Sequence, residues 1–396
     1  MAQQTQHDFL ITGSHDEANR QAYAANLRMH VLTQIGGGMQ DVYDRRAAPA
    51  FEKATGHAPK DGREAMKAML ADPYGKAWSS MIHTCQEMLW DSVRPAIERA
   101  QPEFNEKVRG LNARLGSLSL DPDVEVPRYV SACDIHLMPG NYHTERDDGD
   151  ASQGALFDRG LYIYQGGFAG PLCDNNGRSQ AETIKRRWPE FKPTKILDLG
   201  CTVGNNTLPY ADVFPDAELH AIDVAAPCLR YGHARAEALG VPCHFHQMNA
   251  EQTSFEDESF DLIVSCILFH ETSRTGMANI LKESHRLLKP GGLMLHMEVP
   301  RTDGMDPYSA FRLDWDTYYN NEPFLSSWMR TDVREACEKA GFSADNYVHV
   351  VAPDLGSVPD EDFTRYATAE QTADSAHGHW GELVLWNMYG AWKWNR

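Results

Sequence analysis

Residues Lys195 to Thr207 read KILDLGCTVGNNT, and this stretch decides the fold. The apolar run at 196–199 is typical of a short strand buried in a parallel sheet. Gly200 and Gly204 follow it, and glycine lets the chain bend sharply and lets a ligand approach bare backbone. The pattern predicts a strand, a ligand-binding turn and a helix that begins near residues 205–207.

A second apolar run, ELHAIDV at 218–224, follows this turn. It ends in Asp223, from which a carboxylate can bind ribose hydroxyls. Asp198 stands at the end of the first strand, where open α/β sheets place their ligand crevice. The glycine spacing is GxxxG, and Thr207 stands where a dinucleotide fold needs its third glycine. We therefore expect a ligand with ribose but no pyrophosphate.

These motifs resemble those of the class I S-adenosylmethionine-dependent methyltransferases, and the resemblance continues in order along about half of the chain. Residues 243–251 (CHFHQMNAE) resemble the third strand and the adenine-side loop. Residues 260–271 (FDLIVSCILFHE) resemble the fourth strand and its loop. Residues 280–300 (ILKESHRLLKPGGLMLHMEVP) resemble a helix, a turn and the fifth strand. Gly291 and Gly292 are expected to end that helix in left-handed backbone.

The resemblance implies a Rossmann-like methyltransferase fold, which is a doubly wound, mostly parallel α/β sheet. It also implies S-adenosyl-L-methionine as cofactor and S-adenosyl-L-homocysteine as product. The cofactor-binding residues it implies are Asp198, Gly200, Cys201, Gly204, Asp223, Val224, Asn249, Ala250 and Glu251. The chain departs from the family at Thr202, where glycine is usual, and at Asn249, where aspartate is common. An asparagine carbonyl can still face an adenine amino group.

The chain divides into three regions. Residues 1–125 are expected to form a helical N-terminal domain that serves in packing, in dimerisation or as a lid. Three helical patterns occur in it, at 16–35, 41–55 and 76–109. The first ends at the glycines 36–38, and Pro95 and Pro102 interrupt the third.

Residues 126–190 are rich in turns, aromatics and histidines, a composition typical of loops that line a site. Because they precede the first sheet strand, they are expected to cover the active site. His136 and Tyr142 are candidates for substrate binding. Alternatively, Asp134 and His136 alternate on a strand and hydrogen-bond loop backbone. A metal held by His136 and His143 would lack a third ligand, so no metal is predicted.

Tyr162 and Tyr164 lie in the same region, in the stretch GLYIYQGG. Tyr164 is a candidate for contact with the methionine end of the cofactor. The alternative is an ordinary aromatic strand.

Residues 191–396 are expected to form the Rossmann-like catalytic domain, with an aromatic insertion at 301–329. A connection this long is usually functional, and this one is too aromatic for disorder. A substrate lid is the sharper interpretation, and a subunit contact is the alternative. Its candidates for substrate binding are Arg301, Trp315, Tyr318 and Tyr319. The remaining elements expected are a helix at 331–341, strands at 347–352 and 381–392, and an acidic surface loop at 353–380.

The chemistry implied is direct in-line displacement at an electrophilic methyl group by an atom of a small organic acceptor. Alignment of the reacting atoms can contribute up to about 7 to 11 kcal/mol. A hydroxyl or protonated amine acceptor needs a base, whereas a thiolate or thioether does not. The base candidates are His270 and Glu271, then His143 and Glu298. His270 is alternatively a packing residue at the sheet edge.

Charge and composition limit the kinds of binding partner and the cellular location that we expect. The formal net charge of −19 argues against nucleic acid as the acceptor, since phosphate backbones need a basic face. No apolar stretch is long enough to span a membrane, and the start MAQQTQHDFL lacks a signal pattern, so a cytoplasmic protein is expected. The eight cysteines contain no CxxC pair, which favours reduced thiols. The helical N-terminus makes a homodimer plausible.

Two other functions stay open from the sequence. One is a binding or regulatory protein that keeps the nucleotide pocket without turnover, which the departures at Thr202 and Asn249 permit. The other is an enzyme that uses the same cofactor for a different reaction. The acceptor atom, whether oxygen, nitrogen, sulfur or carbon, is not fixed by any motif.

Overall fold

The structure is a computed structural model that describes residues 3–370 and 385–394. Its strands are β1 (Ser117–Ser119), β2 (Lys195–Leu199), β3 (Glu218–Asp223), β4 (His244–Gln247), β5 (Phe260–Cys266), β6 (Leu288–Glu298), β7 (Tyr347–Pro353) and β8 (Leu385–Trp392). They form one sheet in the order β1-β4-β3-β2-β5-β6-β8-β7. Neighbouring strands are parallel except that β8 is antiparallel to both β6 and β7. The expected doubly wound, mostly parallel α/β fold is confirmed.

Some helices cover the sheet, and others form the N-terminal region. They are α1 (His15–His30), α2 (Met39–Val42), α3 (Ala48–Thr55), α4 (Gly62–Ala71), α5 (Pro73–Arg109), α6 (Arg128–Ser131), α7 (Ser152–Tyr164), α8 (Asn175–Arg187), α9 (Tyr210–Val213), α10 (Ala226–Leu239), α11 (Arg274–Leu287), α12 (Pro307–Tyr319), α13 (Leu325–Trp328), α14 (Val333–Ala340) and α15 (Asp360–Thr368). Among the described residues, none of these helices is long and apolar enough to cross a lipid bilayer.

Both faces of the sheet are covered. On β2, Ile196 packs in one core with Leu262 of β5, whereas Leu197 packs in a second core with Ile263. Alternate residues of a strand point to opposite faces, so two cores require helices on both sides. The strand order reverses between β2 and β5, because β3 and β4 continue on one side and β6 on the other. Ligands of such sheets bind at this switch point, beyond the carboxyl ends of the strands.

The N-terminal helices differ from the expectation in two places. The glycine triplet does not end a helix, since Gly36 and Gly38 are right-handed and α2 follows directly. A Cβ on Gly38 would lie 2.5 Å from the hydroxyl oxygen of Tyr74, so this glycine serves close packing. Pro95 and Pro102 both lie inside α5, which runs through 37 residues without a break. Burial of one face of this helix outweighs the local cost of the prolines.

The region 126–190 contains more helix than its composition indicated. The expected site loops include α7 and α8, and Tyr162 and Tyr164 lie on α7 rather than on a strand. A Cβ on Gly160 would lie 2.0 Å from the ring of Trp90. The glycines of α7 therefore permit close helix packing where the sequence indicated turns. Asp134 and His136 also do not alternate on a strand, because a short 3₁₀ turn occupies Ile135–Leu137.

Other boundaries shift by local causes. The helix expected from 205–207 is replaced by turns, and α9 begins only at Tyr210. Helix α11 ends at Leu287 and β6 begins at the next residue, so the Pro-Gly-Gly segment lies in β6 and does not end the helix; only Gly291 of its two glycines is left-handed. Part of the expected loop 353–380 is α15. Residues 371–380 of that loop and residues 381–384 of the strand expected at 381–392 lie outside the described residues.

The region expected to be helical also contributes a strand. β1 comes from residues 117–119 and pairs with β4 at the edge of the sheet. The helix expected at 331–341 and the strand expected at 347–352 are confirmed by α14 and β7. All eight cysteines are free thiols, as expected.

Candidate active site

The glycine turn after β2, residues 200–204, contains three left-handed residues. Gly200 and Gly204 have φ values of 69° and 76°, and Thr202 between them has 51°. A left-handed residue with a Cβ costs about 1 to 2 kcal/mol, which the surrounding structure must offset. The amide N–H groups of Gly200 and Cys201 donate to the carbonyl of Ile222 on β3, at 2.8 and 3.0 Å. The turn is therefore fixed to the neighbouring strand.

Asp223 closes the turn from the end of β3. Its two carboxylate oxygens accept one backbone N–H each, from Thr202 at 2.9 Å and from Ala225 at 2.9 Å. Burial raises the pKa of Asp223, and these backbone donors oppose the rise. A carboxylate has about four acceptor positions, so two remain for ribose hydroxyls. Together with the glycine backbone of the turn, Asp223 fits an adenosyl group.

Asp198 lies on β2, directly before the turn, and contacts Thr207 on the other side of it. It is buried, and its carboxylate accepts a hydrogen bond of 2.5 Å from the hydroxyl of Thr207. Burial raises the pKa of Asp198 to about 7, although the Thr207 hydroxyl opposes this. The Cys201 thiol is buried too, and burial raises its pKa. Both side chains are held within the protein, so they shape the loop through its backbone.

The adenine-side loop is held by its own side chains. The side-chain amide oxygen of Asn249 accepts a hydrogen bond from the backbone N–H of Glu251 at 2.9 Å. The Glu251 carboxylate accepts hydrogen bonds from Tyr129 and from Asn279, both at 2.8 Å. Ala250 packs on the core beneath this loop. Glu251 therefore has a structural role that the sequence did not indicate.

Val224 and His143 line the same cavity of about 330 Å³, beside the end of β3. Burial lowers the pKa of His143, which keeps its imidazole neutral at pH 7, and Asp134 opposes this. The structure thus places His143 beside the end of β3, together with Gln247 and Arg230, and apart from the other base candidates.

Six side chains from four segments form a chain of alternating acids and histidines, which we call the acid–histidine chain. It runs in space through Glu298, His270, Glu322, His136, Glu271 and Tyr142. His270 contacts Glu298 at 2.7 Å and Glu322 at 3.8 Å. His136 lies 3.0 Å from Glu322 and 3.2 Å from Glu271, and the Tyr142 hydroxyl donates to Glu271 at 3.0 Å. Five of these six residues were site candidates from the sequence.

The charges of this chain follow from its pairing. Burial lowers the pKa of His270, but Glu298 and Glu322 outweigh it and raise the pKa to about 9. Burial likewise lowers the pKa of His136, but Glu322 and Glu271 outweigh it and hold that pKa well above its usual value. Both rings are therefore imidazolium cations at pH 7. A cation cannot accept a proton, so His270, the first base candidate, is a poor general base here.

The chain lies against the glycine turn. Glu271 follows β5, the neighbour of β2, and it is close enough to raise the pKa of Asp223, after the larger effect of burial. A Cβ on Gly200 would lie 2.7 Å from Leu268, which precedes Glu271 in the same loop. The cofactor turn and the acid–histidine chain therefore meet at the switch point of the sheet.

Backbone strain concentrates at this place. Besides Thr202, the left-handed non-glycine residues include Ile267, His136 and Leu137, with φ values of 61°, 55° and 59°. The carbonyl of His136 accepts hydrogen bonds from Trp90 at 2.8 Å and Gln86 at 3.0 Å. Both donors belong to α5, so the N-terminal region holds the strained segment in place. Strain of this kind clusters at functional sites.

The remaining candidates lie in three different environments. Tyr164 carries the Arg28 guanidinium over its ring at 3.9 Å, and its ring lies 6.1 Å from that of His136, which places it beside the chain. Trp315 is buried, and its ring nitrogen donates to Ser79 at 2.8 Å. Tyr319 stacks on Trp315, whereas Tyr318 is exposed. The insertion thus contacts the N-terminal helices, and Trp315 has packing contacts there.

Arg301 is placed differently. It pairs with Asp303 and lies close enough to Tyr347 and Tyr389 to act on their pKa values, where burial is the larger effect. Its environment is the edge formed by β7 and β8.

Sequence reasoning missed Glu322, which bridges His136 and His270, and Arg28, which covers Tyr164. The Asn320 amide also donates to Glu322 at 2.8 Å. Glu322 lies in the insertion, and its acidity was the only available signal. Arg28 lies on α1, far from any motif in the sequence.

Comparisons with known proteins agree with this geometry. Residues 196–292 match a family model described as "Methyltransferase domain". A demethylmenaquinone methyltransferase of Thermus thermophilus is 32% identical over 137 residues, which cover 34% of this chain and 60% of that protein. A ubiquinone/menaquinone biosynthesis C-methyltransferase of Pasteurella multocida is 32% identical over 32% of this chain and 50% of its own length. This chain thus spans 50 to 60% of these relatives.

Among solved structures, a phosphoethanolamine N-methyltransferase 2 of Haemonchus contortus in complex with S-adenosyl-L-methionine is similar. Its TM-score is 0.39 at 19% identity, over 60% of this chain and 57% of that one. The family model, not this weaker likeness, confirms the resemblance read from the sequence motifs.

Proposed function

We propose that this protein, whose residues 196–292 form a class I S-adenosylmethionine-dependent methyltransferase domain, transfers a methyl group to a small organic acceptor at the acid–histidine chain. The observation that carries the proposal is that two sites meet at the carboxyl ends of the central strands, at the switch point of the sheet. The Gly200 turn with Asp223 fits an adenosyl group, and the acid–histidine chain lies beside it.

The cofactor residues are proposed from these contacts. Asp223 would hold the ribose, the turn from Gly200 to Gly204 would lie against the methionine part, and Val224 and Asn249 would flank the adenine. When bound, S-adenosyl-L-methionine supplies an electrophilic methyl group on a positively charged sulfur. The nearby carboxylates favour that positive charge.

Glu271 is the proposed proton acceptor of the site. One of its carboxylate oxygens contacts Tyr142 and His136, which orients the group. Among the residues the structure describes, its second oxygen receives no hydrogen bond, so that oxygen is free for an acceptor proton. The cationic rings of His136 and His270 instead hold the pKa of Glu322 below its usual value, against the effect of burial.

The N-terminal helices and the insertion are proposed to exclude water from the reacting atoms. Tyr308, Phe311 and Trp315 of α12 pack in one buried cluster with Trp78 and Met66 of the N-terminal helices. This cluster fixes α12 beside the acid–histidine chain. Exclusion of water strengthens the electrostatic interactions within such a site.

The test begins with calorimetric titration of the full chain with S-adenosyl-L-methionine and with S-adenosyl-L-homocysteine. The protein is then incubated with methyl-labelled cofactor and a panel of small hydroxyl, amine, thiol and quinol compounds, and labelled products are identified by mass spectrometry. Binding with product formation is expected. Binding without any product across the panel would favour a regulatory binding protein, and absence of binding would overturn the proposal.

A further inference from the structure

The imidazole of His136 lies between two carboxylates that come from different parts of the chain. Its Nδ1 atom is 3.0 Å from Oε1 of Glu322, in the insertion, and its Nε2 atom is 3.2 Å from Oε1 of Glu271, after β5. A neutral imidazole has one N–H group, so it can donate to only one of them. Both contacts are hydrogen bonds only when both nitrogens carry a proton, which makes the ring a cation.

Glu322 is held rigidly in the linker between α12 and α13. It is 5% exposed, and its Oε1 atom also accepts a hydrogen bond from the Asn320 amide at 2.8 Å. The next residue before it, Asn321, has a left-handed backbone with φ of 53°, and its side-chain amide donates to the carbonyl of Asp134 at 3.0 Å. Asparagine is one of the few residues that adopt this conformation readily. The linker is thus tied to the segment that carries His136.

The helices on either side of this linker are anchored as well. Phe311 of α12 is buried in one cluster with Trp78 and Met66 of the N-terminal helices. The ring nitrogen of Trp328 in α13 donates to the carbonyl of Val299, directly after β6, at 3.0 Å. The carboxylate between these two anchors therefore needs no rearrangement to reach the imidazole.

The ring of His136 meets titratable groups from three packed segments. Glu271 and Glu322 contact it, and the ring of Tyr164 on α7 lies 6.1 Å away. Burial lowers the pKa of His136, but the two carboxylates raise it well above its usual value. Around these groups lie the neutral side chains of Trp90 and Gln86 and the charged side chains of Asp316, His270 and Arg28.

We infer that Glu322 is a positioning residue of the methyl transfer, which holds His136 as the cation whose Nε2–H group fixes the Glu271 carboxylate by a charge-assisted hydrogen bond. The inference rests on the proposed function, since it assigns a further residue to the same site. Glu322 acts through His136, because its two carboxylate oxygens face the two histidines of the chain. The insertion thereby supplies part of the machinery that orients the proposed base.

The test is nuclear magnetic resonance of the full chain with nitrogen-15 in the histidine rings, at about pH 7.5, where an ordinary histidine is mostly neutral. The signals of His136 are assigned by their loss in His136→Gln. In the wild type, both ring N–H groups of His136 should be observed, as in an imidazolium ion. A neutral His136 in the wild type would overturn the inference without any change to Glu322.

Two variants separate the charge of Glu322 from its shape, and circular dichroism checks that each one folds. Glu322→Gln keeps the shape and removes the charge, so His136 should lose its Nδ1–H signal and become mostly neutral. Glu322→Asp keeps the charge on a shorter side chain and should retain the cation. Glu338→Gln, the same change at an exposed position of α14, should leave the spectrum of His136 as in the wild type. A fully cationic His136 in Glu322→Gln would overturn the inference.

Turnover gives a second measurement. For a compound of the acceptor panel that loses a proton on methylation, Glu322→Gln should lower kcat by about 10- to 100-fold, the range known for partners that orient a metal ligand. Glu322→Asp should recover part of this loss. An unchanged kcat in Glu322→Gln would overturn the inference.

These measurements separate the inference from the proposed function. The affinity of Glu322→Gln for S-adenosyl-L-homocysteine should stay within about twofold, because Glu322 shares no contact with the glycine turn in the described part of the chain. Absence of this binding in the wild type, or of any labelled product, would count against methyl transfer. The histidine spectra need neither cofactor nor acceptor, so they decide the inference even when no panel compound is methylated.

Discussion

The adenosyl side and the acceptor side of this site are built in different ways. The adenosyl side comes from the adjacent ends of β2 and β3, where the Gly200 turn and Asp223 share direct backbone hydrogen bonds. The acceptor side joins His136 from the region before the sheet, Glu271 after β5, and Glu322 from the insertion. Local sequence encodes the first side, whereas tertiary packing assembles the second.

This difference has a measurable consequence. Substitutions on the adenosyl side should alter the affinity for the cofactor. Substitutions on the acceptor side should alter turnover or stability and leave the affinity for the cofactor unchanged. Residues far apart with no shared partners act nearly independently. Glu271, which acts electrostatically on Asp223, lies at the boundary and gives the sharpest test.

The largest effect is expected for Glu271→Gln. Loss of the proton acceptor should lower kcat by about 10² to 10⁴-fold for an acceptor that must lose a proton. The affinity for S-adenosyl-L-homocysteine, measured by calorimetry, should stay within about twofold, because this product carries no sulfonium charge for the Glu271 carboxylate to attract. Glu256→Gln, at an exposed position, is the control. If kcat is unchanged, Glu271 is not the base.

Asp223→Asn should act in the opposite way. Two charge-assisted hydrogen bonds to ribose would be weakened, so affinity for S-adenosyl-L-homocysteine should fall by about 10³-fold. Calorimetric titration measures this loss, and circular dichroism checks that the sheet remains. The exposed Asp216→Asn variant should bind normally. An unchanged affinity in Asp223→Asn would show that the adenosyl group does not bind in this crevice.

The acid–histidine chain predicts a pH-dependent stability. The pKa of His270 is raised to about 9 in the folded protein, above its ordinary value near 6.5, because burial is outweighed by Glu298 and Glu322. The stabilisation is complete below about pH 6.5 and is lost as the pH rises through about 9. It amounts to something on the order of 3 kcal/mol.

The measurement is urea denaturation of the wild type and His270→Gln at pH 6, 7.5 and 9.5. The difference between the two should shrink toward alkaline pH. A constant difference across this range would show that His270 is neutral in the folded protein, and the imidazole would return as a base candidate.

The smallest effect is expected for Trp315→Phe. Loss of the hydrogen bond to Ser79 should lower the free energy of unfolding by about 1 to 2 kcal/mol, with kcat unchanged. Denaturation and steady-state kinetics on the same samples check this. A large fall in kcat with little loss of stability would instead show that Trp315 contacts the acceptor, as the sequence interpretation proposed.

Prediction from sequence succeeded where chemistry and local geometry coincide. The strand and turn at 195–204 and the acid at 223 follow from apolar runs and glycine positions, which act within a few residues. The helix α7 was missed because its glycines serve contacts with Trp90 and Tyr231, which no local pattern reveals. His136, Tyr142 and Glu271 were named one by one, but their contact required the fold.

Glu322 shows the limit more clearly. Its role comes from bridging two histidines that lie far from it in the sequence, so acidity alone could not distinguish it from surface acids. Likewise, the raised pKa of His270 arises from Glu298 and Glu322 together, against the effect of burial, and it reverses the expected role of that residue.

The hydrogen bonds from Trp90 and Gln86 to the His136 carbonyl make α5 a part of the active site without contact to any reactant. The N-terminal region and the sheet are therefore not exchangeable modules. Grafting the sheet onto another helical partner would preserve the motif that binds the cofactor yet release His136 from its left-handed backbone. Divergence of acceptor choice in such proteins can then proceed through a distant helix while the glycine motif stays constant.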